Sequence, residues 1–272
     1  MPHAETEGGR LYYEVHGDAE GPPLVLAMGI GGSCRGWLPV QVPEFSQHRR
    51  TLIFDYPGVG GSDPQEGDFS TADLADVVDG LLATLEIPSA DVLGVFMGGM
   101  VAQELALRHP ERVRRLVLVG TYARPDAKRR MLLTQWRDLA RIDAPLEVMI
   151  RDRLLWTAQD ETIEQTDLIE AMIDFFKRDG APLTADLFAR QCEACLRHDS
   201  ESRLPQIRQP TLVVCGRNDL LTPPSLHQRL VDGMPNARRV TIASGAHLVM
   251  VESGETFNRS VLQFLASADD NL

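Results

Sequence analysis

The sequence predicts an α/β protein: one largely parallel sheet with helices on both faces. Three observations predict it. Short apolar runs bounded by turn residues alternate with longer segments of helical period along most of the 272 residues, the pattern of strands joined by crossover helices. Several of those runs are continuously apolar, as strands buried on both faces must be. A hydrophobic content of 43% is enough for the core of one large domain with an inserted subdomain.

The elements follow in order. "RLYYEVHG" (Arg10 to Gly17) alternates polar and apolar as an antiparallel edge strand does, and "PPLVLAMG" (Pro22 to Gly29) is a buried strand after a turn. "RTLIFDYPG" reads as strand, "STADLADVVDGLLATLEI" as a helix capped by Ser70 or Thr71, and "DVLGVF" as strand. The helix "MGGMVAQELALRHP" stops at Pro110, and "VRRLVLVGT" is the next strand. From about Tyr122 to Pro205 the pattern becomes helical and charged without a convincing strand, too long for a loop, so it reads as an inserted helical cap. The alternation resumes with "PTLVVCGRND", a helix from about Pro224 to Met234, the strand "ARRVTIA" and a closing helix from about Glu255 to Ala266.

The bulk properties exclude several classes. A net charge of −12 argues against binding a phosphate backbone, so nucleic acid is not an expected partner. The N-terminal "MPHAETEGGRLYYEVHG" has neither a signal-peptide pattern nor an apolar run able to span a membrane. The expectation is a cytoplasmic enzyme acting on a small molecule, monomeric or homodimeric, with no membrane partner. Four cysteines in a chain of this length do not suggest a disulfide framework. Cys192 and Cys195 form C-x-x-C, but within helical periodicity rather than after a strand, and read as two half-buried thiols. No histidine spacing suggests ligands, so neither metal nor cofactor is expected.

Four segments, in order, carry a family resemblance. "MGIGGSCRGW" (Met28 to Trp37) resembles an oxyanion-hole loop, and "DYPGVGGSD" (Asp55 to Asp63) a D-x-R-G-x-G-x-S turn with Pro57 in place of arginine. "GVFMGG" (Gly94 to Gly99) stands where G-x-S-x-G-G belongs, and "GRNDLLTP" with "GAHLVMVE" resemble the acid and histidine turns. Over nearly its whole length the chain resembles the α/β-hydrolase-fold superfamily, especially small-molecule esterases and enol-lactonases with a helical cap. That resemblance implies a mostly parallel eight-stranded sheet, a core formed by residues 1–121 and 206–272, and a cap over 122–205.

It also implies roles. His247 would be the base and Asp219 the carboxylate that orients it, while the backbone N–H groups of Ile30 and Met97 would receive an oxyanion. Each has a bland competitor: "ND" after a strand is commonly just a turn, and a loop histidine is commonly just solvated. Asp55 and Ser62 read as turn-fixing residues. Trp37, Tyr122 and Leu248 are candidates for the pocket wall, and Tyr56 joins the first two near the expected rim, where plain packing is an equal reading. Ser33 and Cys34 read as solvent-facing, and Arg124, Arg129 and Arg130 as a solvated face. Trp136, Trp156, Met172, Phe175 and Phe176 are either pocket or cap core.

Phe96 is the departure from the pattern. It occupies the position of the nucleophile, where a strained positive φ exposes the central side chain. A phenyl ring cannot attack a carbonyl and has no proton for His247 to take, so acyl-enzyme hydrolysis is in doubt. Three readings remain open. One is His–Asp general acid–base chemistry without a covalent adduct, as in a lyase, a cyclase or isomerase, or a cofactor-free oxygenase. The second is a carboxylic-ester or lactone hydrolase whose serine has been replaced. The third is a non-catalytic ligand-binding protein. The expected substrate is a small, largely apolar carbonyl compound.

Overall fold

Strands run in the order β1-β2-β4-β3-β5-β6-β7-β8 in one eight-stranded sheet, counted over the residues that the computed structural model describes: 2–6, 8–64, 66–178 and 184–267. They are β1 (His3–Thr6), β2 (Gly9–His16), β3 (Leu24–Ala27), β4 (Thr51–Phe54), β5 (Ala90–Val95), β6 (Val113–Val119), β7 (Thr211–Gly216) and β8 (Ala237–Ile242). β2 pairs antiparallel with β1 and β4, and every pairing from β4 onward is parallel. Helices cover both faces, as expected of the class. Residues 179–183 of the expected cap, and residues 1, 7, 65 and 268–272 of the expected core, lie outside the described residues.

The helices are α1 (Gln41–Phe45), α2 (Thr71–Thr84), α3 (Met97–Arg108), α4 (Ala127–Arg141), α5 (Leu146–Thr157), α6 (Asp160–Ile163), α7 (Thr166–Arg178), α8 (Ala185–Arg197), α9 (Pro224–Gly233), α10 (Val249–Glu252) and α11 (Gly254–Ala266). Ser70 caps α2: its hydroxyl accepts from the Asp73 N–H while Asp73 accepts from the Ser70 N–H, a reciprocal capping box. β3, β5 and β7 are buried along their whole length, which is why they read as unbroken apolar runs.

One expectation needs correcting. "RLYYEVHG" is not the edge strand, because β1 lies outside it. The four residues HAET contain one buried side chain, Ala4. They are held by backbone pairing to β2, which leaves no apolar pattern to read.

Between β6 and β7 the described residues form α4 to α8 and no strand. Within α5 to α7, Ile150, Leu154, Ile169 and Ile173 form a small apolar cluster distinct from the main core. Leu248 packs against both clusters and so joins the helical segment to the sheet. The parallel strands deliver the loops after β3, β5, β6, β7 and β8 to one edge of the sheet, where open α/β sheets hold their ligands.

Candidate active site

β5 ends at Val95 and α3 begins at Met97, so one residue turns the chain from strand to helix. That residue, Phe96, has φ 47° and ψ −108°. Among the described residues the other non-glycine residues with positive φ are Glu86 and Asp143. Each of those lies just past a helix end, where the left-handed conformation is ordinary. Phe96 precedes a helix, and its ψ falls outside the left-handed well, so the conformation stores about 1–3 kcal/mol of strain. Its surroundings hold it there: the Phe96 N–H donates to Val119 O at 3.0 Å, and Thr121 Oγ1 donates to Phe96 O at 2.8 Å. The turn also needs its glycines. A Cβ on Gly98 would fall 2.2 Å from Ala27 O, and one on Gly94 would fall 2.2 Å from Gly98 O.

Asp219 follows β7 and His247 follows β8, and their turns are laced together by the Asn218 N–H donating to Gly245 O. His247 Nδ1 lies 3.0 Å from Asp219 Oδ2. Thr222 completes the arrangement: its N–H donates to Asp219 Oδ1 and its hydroxyl to Oδ2, both at 2.7 Å, and the hydroxyl oxygen is 3.1 Å from His247 Nδ1. With two oxygens at Nδ1, the network assigns the proton to that nitrogen and leaves Nε2 with its lone pair. Both side chains are buried. Burial opposes the Asp219 charge, but the adjacent His247 imidazole, with help from His227 and the Thr222 N–H, outweighs it and holds the carboxyl below its usual range.

Phe96 stands edge-on to His247, ring centroids 5.5 Å apart at 80°, and edge-on to Tyr122 at 5.7 Å and 85°. Both Phe96 and His247 border a cavity of about 370 Å³. The cavity wall is mostly apolar, with Met28 and Trp37 from the sheet edge and Leu154, Met172, Phe175 and Phe176 from the helical segment. Polar groups on it include Ser33, Arg153, Thr157 and His247.

Met97 is the first residue of α3, so its N–H has no acceptor within the helix. The loop carrying Ile30 runs against the elbow: a Cβ on Gly29 would lie 3.6 Å from Phe96 Cβ. One peptide unit of that loop is gripped from the helical segment at both ends. Arg153 Nη2 donates to Ile30 O at 2.8 Å, and the Gly31 N–H donates to Gln191 Oε1 at 2.9 Å.

The sequence-predicted residues distribute as follows. Phe96, His247, Ile30, Trp37 and Leu248 all border the cavity, whereas Tyr122 packs behind Phe96 with its hydroxyl donating to Cys195 O, and is not on the wall. Tyr56 and Tyr122 are fully buried, so neither lies at a rim. Ser33 and Cys34 are buried too, not solvent-facing, because the Cys34 N–H is tied to Asp55 Oδ1 at 2.7 Å and draws the loop inward. Burial and the neighbouring Asp55 raise the Cys34 thiol pKa, which removes it as a nucleophile. Arg129 is buried rather than solvated, paired with Asp126 at 3.0 Å and bonded to Leu221 O. Cys192 and Cys195 are wholly rather than half buried. Trp156 packs on the core instead of the cavity, while Trp136 borders it. Asp55 and Ser62 do fix their turn: Ser62 Oγ donates to Asp55 O, and the Gly61 N–H donates to Asp55 Oδ2.

Thr222, Gly120 and Arg153 are not among the sequence-predicted site residues. Asp-x-x-Thr is a side-chain turn signal that points to Thr222 once Asp219 is chosen. Gly120, with φ +52°, matters because a Cβ there would lie 2.7 Å from His247 Cε1. Arg153 is one arginine among many and has no signal in the sequence.

A strained elbow over a parallel sheet, with acid and histidine turns converging on it, defines a protein of the α/β-hydrolase class. The chain belongs to that family: the profile of the alpha/beta hydrolase fold matches residues 22–253. It is 30% identical over 275 residues to a protein of Azorhizobium caulinodans named as a candidate carbamate hydrolase, RutD, covering 99% of this chain and 100% of that one. It is 33% identical over 263 residues to a candidate non-heme bromoperoxidase, BpoC, of Mycobacterium tuberculosis, covering 94% and 98%. The crystal structure of the enol-lactonase from Burkholderia xenovorans LB400 superposes with a TM-score of 0.88 at 29% identity, covering 98% of this chain and 100% of the other. Among the described residues no helix is long and apolar enough to cross a membrane, and no group of three or more His, Cys, Asp or Glu could hold a metal ion.

Proposed function

We propose that this chain is an enzyme that uses His247 as a general acid–base, oriented by Asp219, on a small and largely apolar carbonyl compound, without an acyl-enzyme. The observation that carries the reading is the 3.0 Å His247–Asp219 bond, kept beside a ring that cannot be a nucleophile. Nε2 takes a proton from the bound substrate, and the carboxylate stabilises the imidazolium that forms. Negative charge developing on the substrate oxygen is met by the N–H groups of Ile30 and Met97, the latter helped by the positive end of the α3 dipole. Phe96 fills the space of a nucleophile and keeps water from the imidazole. Residues 122–205 serve as the cap that shapes the cavity. Lyase, cyclase or isomerase, and cofactor-free oxygenase reactions all need this much and no covalent serine. Likeness to an enol-lactonase supports a carbonyl substrate of small size.

A carboxylic-ester or lactone hydrolase whose serine has been replaced is the second reading. Phe96 retains a strained φ that benefits an exposed nucleophile and gains a phenyl ring nothing. A panel of aryl esters, lactones and enolisable ketones, tested on wild type and Phe96→Ser, separates the two. Turnover of enolisable ketones by wild type that Phe96→Ser weakens supports the first reading. Ester or lactone turnover that arises only in Phe96→Ser supports the second.

A further inference from the structure

Arg153 is the one cationic side chain on the cavity wall among the described residues. It projects from α5 and is surrounded by protein while part of its surface stays accessible, as a group on a cavity wall should be. Its guanidinium lies over the rings of Phe176 and Phe188, 5.6 Å and 5.2 Å from their centroids. It packs so closely on Gly31 that a Cβ there would fall 2.6 Å from Nη1. Burial pulls its pKa down to about 10, so it remains a cation at neutral pH.

Its partners among the described residues do not balance it. Of five N–H donors, the described residues engage Nη2, with Ile30 O, and among those residues no carboxylate pairs with it. Arg129 and Arg203, by contrast, sit against Asp126 and Glu104. Two aromatic faces and one carbonyl soften a desolvated cation without neutralising it. An accessible guanidinium on an apolar cavity wall, with no carboxylate beside it among the described residues, is what an anionic ligand completes.

We infer that Arg153 is the anchor for a carboxylate on the substrate, so that the preferred substrate is a small carbonyl compound that is also an acid. A planar fork over two rings suits bidentate capture of a carboxylate. Because Arg153 holds the carbonyl of Ile30, whose N–H is the proposed oxyanion donor, the anchored carboxylate and the reacting carbonyl sit only a few bonds apart. The inference deepens the proposed function and rests on it for the position of the reacting carbonyl.

The test is binding, read without turnover by calorimetry, using 4-phenylbutanoate and its neutral amide on wild type, His247→Ala, Arg153→Lys and Arg153→Met. Wild type should bind the acid at least about 30-fold more tightly than the amide, the scale set by losing one partner of a buried charge pair. Arg153→Met should erase that preference and leave the amide's affinity nearly unchanged, with Arg153→Lys between. Equal affinity of wild type for both ligands overturns the inference without needing a variant that folds. A preference that survives in Arg153→Met also overturns it, as does an equal loss for both ligands, which marks a purely structural arginine. The His247→Ala protein should keep the preference. If wild-type turnover proves independent of His247 while the acid preference persists, the general-base reading fails and the anchor stands.

Discussion

The ring of Phe96 stands edge-on to the imidazole of His247, centroids 5.5 Å apart, on a residue whose φ is 47°. The strain and the contact act in opposite senses on stability. Phe96→Ala and Phe96→Gly both remove the ring, but only glycine relieves the backbone. At an ordinary helix or strand position glycine is the worse of the two; here Phe96→Gly should be more stable than Phe96→Ala by about 1 kcal/mol. Urea unfolding of the pair checks the order, and alanine proving the more stable would refute the strain.

Thr222 holds both carboxylate oxygens of Asp219. Thr222→Val keeps the N–H bond and removes the hydroxyl, so a buried carboxylate loses a donor at a cost of about 1–3 kcal/mol. The imidazole also loses part of its orientation, and kcat/KM should fall by about tenfold. Thermal melts and steady-state rates measure the two effects. Lost stability with unchanged rate would confine Thr222 to packing.

Much of the sheet and the elbow is legible because local physics writes them. β3, β5 and β7 are buried on both faces and must be apolar throughout, and Gly94 and Gly98 stand where a Cβ would strike backbone. β1 is illegible because its pairing uses backbone alone. Thr222's bonds to Asp219 follow from a local Asp-x-x-Thr turn, but its contact with His247, like that of Gly120, is illegible because His247 is remote in the chain. Arg153 and the buried Arg129 look like surface charges until packing shows what encloses them. The burial of Ser33 and Cys34 depends on Asp55 drawing in their loop, which no local pattern encodes.

Gly120→Ala would place a Cβ 2.7 Å from His247 Cε1 at a φ of +52°. The imidazole must shift, and displacements of about 1 Å in a reacting group cost roughly 100-fold in rate. The expected result is a loss of about that size in His247-dependent turnover. A rate within a factor of about two of wild type would show that the imidazole has room to spare.

Two buried histidines away from the cavity should set the acid sensitivity of the fold. Burial holds His198 at about 3 and His227 at about 4. Below about pH 6.5 the unfolded imidazoles take up protons that the folded ones refuse, so stability is full above that pH and declines as pH falls toward the folded values. Each contributes a slope of up to about 1.4 kcal/mol per pH unit. Urea midpoints measured from about pH 7.5 to 4.5 should flatten by close to half that acid slope in His198→Gln. An unchanged slope would contradict the assignment.

The central claim is that His247 handles a proton without a serine in front of it. The most direct measurement is kcat/KM of His247→Ala against wild type on whichever carbonyl substrate wild type turns over, with circular dichroism showing the fold intact. The account predicts a loss of about 10²- to 10⁴-fold, the range for a positioned general base. Full activity in His247→Ala would contradict it.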